Sequence, residues 1–264
     1  MEVKGKRVLI TGGSSGIGFA LAQALSERGA RVFITGRRRA ALDQALASLP
    51  SAQGVTADVG TQAGRILSLD GVHAAFGGLD ILVNNAGAVR AGRLETLSED
   101  EIAAMVNVDL LAPILLTRSA IPLLRASGDA AVVNISSGMG LIGAPFYSVY
   151  AAVKAGIAHF GEALRRELDG EGVHVLTVYP GGTDTPMMKS NNAGASLGFV
   201  LEPAAAVAAA TVDGLNAGAL SVVRGGEARA NMISLNRADP AAVDARFRAM
   251  KAAFEEAVRS HSSL

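Results

Sequence analysis

Short apolar runs rich in β-branched residues alternate along the chain with longer segments rich in alanine and leucine. The short runs predict seven strands, RVLIT (7–11), RVFIT (31–35), GVTAD (54–58), DILVN (80–84), AAVVNIS (130–136), VHVLTVY (173–179) and ALSVV (219–223). The longer segments predict helices over 16–28, 38–48, 61–76, 98–125, 148–169 and 203–217. This alternation indicates parallel strands joined by right-handed crossovers. Because the strands are apolar throughout, we expect helices on both faces of the sheet.

Two regions depart from this rhythm. Residues 186–202, PMMKSNNAGASLGFVLE, are mixed in character and contain glycine. Residues 237–258 predict an extra amphipathic helix, with Asp239 as its cap and Pro240 in its first turn. No linker or low-complexity tract interrupts the chain, so we predict one α/β domain over 1–264, a doubly wound parallel sheet with an added C-terminal helix.

Composition narrows the classes of function. Twenty-four basic and 24 acidic residues balance, which gives no electrostatic reason to expect nucleic acid or an anionic membrane as the main partner. The chain has no cysteine, which excludes disulfides, thiolate catalysis and Cys-ligated zinc, and we predict no metal site. The first apolar run is too short for a signal peptide, and we find no apolar run long enough to span a membrane. We therefore expect a cytoplasmic protein.

The loop after the first strand carries a glycine pattern. In TGGSSGIG, Gly12, Gly16 and Gly18 follow the spacing G-x-x-x-G-x-G. Small residues let the backbone approach a pyrophosphate, and a helix N-terminus offers unpaired N–H groups to it. Ser14 or Ser15 is placed to cap the helix or to contact a phosphate. The alternative is a tight turn that needs glycine only for its geometry.

The same loop also spells G-x-S-x-G, the nucleophile elbow of serine hydrolases. An elbow needs a histidine base further along the chain. The chain has four histidines, His73, His159, His174 and His261. His159 lies in the middle of a predicted helix and His174 begins a predicted strand, and neither has the loop setting that such a base usually takes. We therefore disfavour a serine hydrolase.

The end of the second strand bears on the choice of dinucleotide. NAD-binding proteins tend to place an acid at this strand end, whereas NADP-binding proteins place an arginine. Here Gly36 is followed by Arg37, Arg38 and Arg39, and a guanidinium matches a 2′-phosphate. Three cations at a helix N-terminus oppose the helix dipole, which argues against a merely solvated charge run. We favour NADP(H) over NAD(H), with Arg37 as the first choice and Arg38 as the second.

Tyr150 and Lys154 stand four residues apart in a predicted helix, so they project from the same face. A free tyrosine has a pKa of about 10, too high for efficient proton exchange at neutral pH. A nearby ammonium stabilises the phenolate, so we expect Lys154 to lower the pKa of Tyr150. By itself the pattern Y-x-x-x-K also occurs by chance.

These features together resemble the short-chain dehydrogenase/reductase family, which has a Rossmann fold. The resemblance rests on TGGSSGIG, NNAG (84–87), Asn107, Ser137, YAAVK (150–154) and PGGTDT (180–185), in the family's order, from about Gly5 to about Pro186. Ser137 precedes Tyr150 by thirteen residues, as the family's catalytic serine does, and is preferred to Ser136 on that spacing.

The resemblance implies a cofactor site and a catalytic set. Cofactor-binding residues would be Gly12, Ser14, Ser15, Gly16, Ile17, Gly18, Arg37, Arg38, Asp58, Val59, Asn85, Ala86, Gly87, Tyr150, Lys154, Pro180, Gly181, Thr183 and Thr185. Tyr150 would donate a proton to a substrate carbonyl oxygen, which Ser137 would also hydrogen-bond. Asn107 would hold a water that links Lys154 to solvent.

The implied activity is NADP(H)-dependent interconversion of a ketone or aldehyde and an alcohol. The alternative is an NADP(H)-binding regulator without turnover. Residues 186–202 would form a lid over a small-molecule substrate, with an apolar wall and no evident arginine cluster. The extension past the glycine pair at 225–226 is unusual for the family and would affect assembly, which we expect to be a homodimer or homotetramer.

Overall fold

The computed structural model describes residues 1–264. Its strands are β1 (Arg7–Ile10), β2 (Arg31–Gly36), β3 (Gln53–Thr56), β4 (Ile81–Asn84), β5 (Ala130–Ile135), β6 (Val173–Tyr179), β7 (Gly182–Asp184), β8 (Leu201–Pro203) and β9 (Ser221–Val223). Its helices are α1 (Gly16–Glu27), α2 (Arg39–Ala47), α3 (Gln62–Phe76), α4 (Glu99–Val106), α5 (Ala112–Ser127), α6 (Ser148–Glu167), α7 (Ala204–Asn216), α8 (Gly226–Ala238) and α9 (Pro240–Val258).

Seven strands form one parallel sheet in the order β3-β2-β1-β4-β5-β6-β9. The order reverses between β1 and β4, which is the doubly wound arrangement. One core cluster packs β1, β2 and β6 against α1 and α7, and a second packs the other sheet face against α3, α5 and α6. The predicted α/β fold, with helices on both faces of a parallel sheet, is confirmed.

Local signals explain where several helices begin and end. Ser98 and Glu101 form a reciprocal capping box at the start of α4. The side chain of Asp239 accepts a hydrogen bond from the Ala242 N–H and Pro240 follows it, as predicted for the C-terminal helix α9. Gly128, in the left-handed conformation at φ 73°, ends α5.

Two parts of the fold were not predicted. A small parallel sheet pairs β7, just before the 186–202 segment, with β8, at the end of that segment. The C-terminal extension contains two helices rather than one, since a further helix, α8, begins at Gly226, the second residue of the glycine pair. Gly225 and Gly226 both have positive φ, 105° and 59°, so the chain turns back sharply between β9 and α8.

The helical segment Glu99–Ser127 is long and apolar enough to cross a membrane by length and composition alone, although Asp109 and Arg118 interrupt its apolar residues. Its residues Leu116, Ala120 and Leu124 are buried in the core against β5 and α3. A core helix of a folded domain passes the same test, so the segment is weak evidence for a membrane span.

Candidate active site

The predicted site residues lie at the carboxyl ends of the parallel strands. Gly12 follows β1, Arg37 follows β2, Asn85 follows β4, Ser137 follows β5 and Pro180 follows β6. Ligands of open α/β sheets bind at this edge, beside the point where the strand order reverses. A cavity of about 1590 Å³ opens there, and all the predicted site residues line it except Gly18, Asp58 and Asn107.

The glycine loop is held against the end of β4. Asn85 donates side-chain hydrogen bonds to the carbonyl oxygens of Thr11 and Gly12, at 2.9 and 3.2 Å. A Cβ atom on Gly18 would lie 2.5 Å from the Gly12 carbonyl oxygen and would overlap the Asn85 amide. Gly18 therefore acts by close packing beneath the loop, and Gly12 and Gly16 bend the loop with positive φ values of 65° and 54°.

The basic end of β2 faces the same cavity. Arg37 and Arg38 line it and are exposed, whereas Arg39 pairs with Asp43 in the next helical turn. A Cβ atom on Gly36 would lie 2.6 Å from the Ser14 hydroxyl oxygen, so Ser14 sits close over the strand end. Ser14, Arg37 and Arg38 together form a polar corner that suits a phosphate.

Asp58 contributes less directly than expected. Its carboxylate is exposed, and Oδ1 accepts a hydrogen bond from the Gly60 N–H at 2.9 Å. The cavity wall at this point is formed by Ala57 and Val59.

Ser137, Tyr150 and Lys154 converge on the cavity. Ser137 caps a short 3-10 turn. Its neighbour Ser136 is buried, and the Ser136 hydroxyl donates a hydrogen bond to the Lys154 carbonyl oxygen at 2.6 Å. The Lys154 ammonium lies 5.6 Å from the centroid of the Tyr150 ring. Ser136 thus fixes α6 to the end of β5, which leaves Ser137 as the serine that is free to face a ligand.

Lys154 is buried and ion-paired. Its Nζ lies 2.9 Å from Asp109 Oδ1 and donates to the Ile135 carbonyl oxygen at 3.2 Å. The other oxygen of Asp109 accepts from the Ala88 N–H at 3.0 Å. Sequence reasoning missed Asp109; the available signal was an acid two residues after Asn107, in a helix that is otherwise apolar there.

The partner of Lys154 in this helix is Asp109 and not Asn107, whose role in holding a water stays a prediction. The Asn107 amide donates to the Gly60 carbonyl oxygen at 3.1 Å. Residues Asn107–Leu111 form a π-helical turn between α4 and α5, and the widened turn carries Asp109 inward. Two residues apart on a helix point in nearly opposite directions, so one of the pair reaches Lys154 and the other cannot.

The net direction of the Tyr150 pKa also differs from the expectation. Burial raises the pKa of Tyr150, and the charge of Asp109 raises it further. The Lys154 ammonium and a hydrogen bond with Ser137 lower it, but the resulting pKa lies above the ordinary value. Burial lowers the pKa of Lys154, but the charges of Asp109 and Tyr150 outweigh burial and raise that pKa above its ordinary value. Lys154 therefore stays an ammonium, but Asp109 offsets its effect on the phenol.

The C-terminal extension forms part of the wall of the cavity in the same chain. Residues 261–264 line the cavity, and the Ala91 N–H donates to the His261 carbonyl oxygen at 2.9 Å. The Ser190 hydroxyl lies 3.1 Å from His261 Nδ1, which ties the 186–202 segment to the tail. Tyr147, the N-cap of α6, packs against the rings of His261 and Phe254.

The residues from 6 to 196 match the family model of the short chain dehydrogenases. The chain belongs to the short-chain dehydrogenase family. Its fold resembles a crystal structure of a short chain dehydrogenase from Burkholderia cenocepacia in complex with NADP, with a TM-score of 0.77 and 32% identity, over 86% of this chain and 98% of that one.

Curated relatives in this family are reductases. A 3-oxoacyl-acyl-carrier-protein reductase, FabG, of Chlamydia trachomatis is 35% identical over 71% of this chain and 77% of its own length. A 3-dehydrosphinganine reductase of Arabidopsis thaliana is 34% identical over 70% of this chain, and the match spans 57% of that protein. The short-chain dehydrogenase described here is accordingly an oxidoreductase.

Proposed function

We propose that this short-chain dehydrogenase uses NADP(H) to interconvert a ketone or aldehyde and an alcohol, with Tyr150 as the proton donor. The observation that carries the proposal is that Ser137, Tyr150 and Lys154 line the same cavity as the glycine loop. A regulator that only senses a dinucleotide has no need of a phenol and a hydroxyl beside a buried ammonium.

The cavity fits the cofactor. The Gly12–Gly18 loop would hold the pyrophosphate, and Arg37, Arg38 and Ser14 would hold the 2′-phosphate. Asn85–Gly87 and Pro180–Thr185 line the path from the loop to Tyr150 and would hold the nicotinamide half. The bound cofactor supplies or accepts the hydride. The NADP complex of the Burkholderia relative supports the choice of dinucleotide.

The chain's own groups handle the proton. Because the pKa of Tyr150 lies above its ordinary value, the side chain is a protonated phenol at neutral pH, which is the form that donates to a carbonyl oxygen. The Ser137 hydroxyl would donate a hydrogen bond to the same oxygen as negative charge develops there. Lys154, held by Asp109 and the Ile135 carbonyl, is the nearby cation for the phenolate that forms.

A steady-state assay with a panel of ketones and aldehydes tests the catalytic set. Tyr150→Phe should abolish turnover while the dissociation constant of NADPH, measured by its fluorescence, changes little. Equal turnover by wild type and Tyr150→Phe would remove the tyrosine from the mechanism. Binding of NADPH with no turnover of any carbonyl by the wild type would favour the regulator instead.

The preference for NADP(H) is tested by Arg37→Ala and Arg38→Ala. Removing a guanidinium that pairs with a 2′-phosphate should weaken NADPH binding by about tenfold to a hundredfold and leave NADH binding unchanged. Arg39→Ala is the matched control, since Arg39 already pairs with Asp43. An unchanged ratio of NADPH to NADH affinity in both test variants would assign the 2′-phosphate to other groups.

We further propose a homodimer or homotetramer. Leu94, Val106 and Leu111 expose 55%, 39% and 45% of their surface on and before the α4–α5 helix, an apolar area that a second copy would cover. Analytical sedimentation of the wild type and of Leu111→Asp measures the mass of the assembly. The substituted chain should have a smaller mass, and a monomeric wild type would contradict the proposal.

A further inference from the structure

The cavity holds a second cationic group near Ser137, contributed by α8. The double-glycine turn at Gly225 and Gly226 folds α8 back over the 3-10 turn that follows β5. A Cβ atom on Gly138 would overlap Nη1 of Arg229, so the guanidinium rests directly on the backbone beside Ser137. The absence of a side chain at Gly138 makes room for Arg229.

Arg229 has no partner within the protein. Its guanidinium forms no hydrogen bond or ion pair with any residue of 1–264, although the side chain is half-buried and lines the cavity. Burial alone lowers the pKa of Arg229 below its ordinary value, with no neighbouring carboxylate to oppose it. A partly desolvated cation gains from an anionic partner, and the protein supplies none.

Most of the other charges around the cavity are already matched or assigned, and the exception is Arg246 of α9, which lines the cavity, is exposed and forms no ion pair. Arg224, which enters the same turn, is bound by Glu202 through both Nε and Nη2, at 3.0 and 2.7 Å. Lys154 is paired with Asp109, and Arg37 and Arg38 lie at the far end, beyond the glycine loop. Glu202 is the only acidic residue that lines the cavity, and it is occupied by Arg224. The part of the cavity near Ser137 therefore carries an uncompensated positive charge.

The walls near Arg229 are apolar. Met187, Phe199, Met232 and Phe247 line the cavity together with it. An apolar wall with a half-buried, unpaired guanidinium beside Ser137 matches a ligand that has an apolar body and a planar anionic end, since guanidinium and carboxylate pair in a fork.

We propose that Arg229 binds the carboxylate of the substrate, so that the enzyme acts on oxo acids or hydroxy acids with an apolar chain. This inference rests on the proposed function, because it identifies the substrate class of the same site. The sequence did not single out Arg229, because it is distant in sequence from every site motif.

Levulinate and its methyl ester form a matched pair of ketones for the test. For the wild type, Arg229→Gln, Arg229→Lys and the control Arg237→Gln, kcat/KM is measured on both compounds. Arg237 is exposed on the same helix and does not line the cavity. We expect Arg229→Gln to lower the acid-to-ester ratio of kcat/KM by about tenfold to a hundredfold, with partial recovery in Arg229→Lys and no change in Arg237→Gln. An unchanged ratio, or an equal loss on acid and ester, would overturn the proposal.

A binding experiment separates this inference from the proposed reaction. Octanoate and octanamide are titrated calorimetrically into the NADP complex of the wild type and of Arg229→Gln. Preference for octanoate that disappears in Arg229→Gln supports the carboxylate site even if neither ketone is turned over, in which case only the proposed reaction fails. Absence of any preference overturns the site. Weaker NADP binding by Arg229→Gln, with octanoate binding unchanged, would also overturn it by assigning Arg229 to the cofactor.

Discussion

The buried pair of Asp109 and Lys154 should contribute a measurable coupling to stability. The side chains are 0% and 6% exposed, so solvent screening is slight. Removing one partner of a buried ion pair leaves an uncompensated charge and typically costs about 3–5 kcal/mol of unfolding free energy. Asp109→Ala additionally deprives the Ala88 N–H of its acceptor. We expect each of Asp109→Ala and Lys154→Met to lose about that amount.

The double variant Asp109→Ala/Lys154→Met should lose clearly less than the sum, by about 1–3 kcal/mol, because no lone charge remains in the core. Urea denaturation at one fixed protein concentration measures all four proteins. The control is the exposed pair Arg39–Asp43, where the same N–O contact is 2.8 Å but the side chains are 79% and 53% exposed. Asp43→Ala should cost no more than about 0.5 kcal/mol. Additive losses at Asp109 and Lys154 would refute the ion pair as the reason that both are buried.

Three further outcomes follow from the site. Asp109→Asn removes a carboxylate that raises the pKa of Tyr150. Alcohol oxidation needs the phenolate, so the rise of kcat/KM at alkaline pH should move to lower pH in this variant. An unmoved pH profile of kcat/KM would show that Asp109 does not act on the phenol. His261 is buried, and burial, with the charge of Arg90, lowers its pKa from 6.5 to about 4. As pH falls from 6.5 towards 4, His261 therefore takes up a proton in the unfolded chain before it does so in the folded chain. The unfolding free energy of the wild type in urea should be about 2 kcal/mol lower at pH 5 than at pH 8 because of His261. This loss should be absent in His261→Gln. Gly18→Val should abolish NADPH binding, measured by fluorescence, because its side chain would displace Asn85 and the glycine loop; binding at wild-type strength would contradict the close packing there.

The regular fold was predictable because its signals are local. Each buried strand is a short apolar run, so the ends of the predicted and observed strands differ by no more than two residues. The small pair β7 and β8 was missed because three-residue strands leave no periodic pattern, and α8 was missed because a glycine pair normally indicates a turn rather than the start of a helix.

Sequence reasoning missed Asp109 for a geometric reason. Sequence reasoning assumed an uninterrupted helix and selected the residue type that the family resemblance suggested. The π-helical turn at Asn107–Leu111 changes which side chains point inward, and the sequence NVDLL contains no residue that indicates such a turn. The pKa of Tyr150 was misjudged for a related reason: spacing along one helix gave the Lys154 contact, but Asp109 arrives from another helix.

The residues that match the family model and the residues that line the rest of the cavity lie in different parts of the chain, so similarity to relatives gives limited information about the substrate. The family model ends at residue 196, and within its range lie the glycine loop, Ser137, Tyr150 and Lys154. Beyond it lie Arg229 and the tail at 261–264, which line the cavity next to those groups. Hydride transfer needs the first set in a fixed geometry, whereas recognition depends on whichever side chains face the rest of the ligand. A reductase of acyl-carrier substrates or of a sphingoid ketone can therefore belong to the same family without sharing this pocket, and the carboxylate site proposed at Arg229 would distinguish an acidic substrate from either.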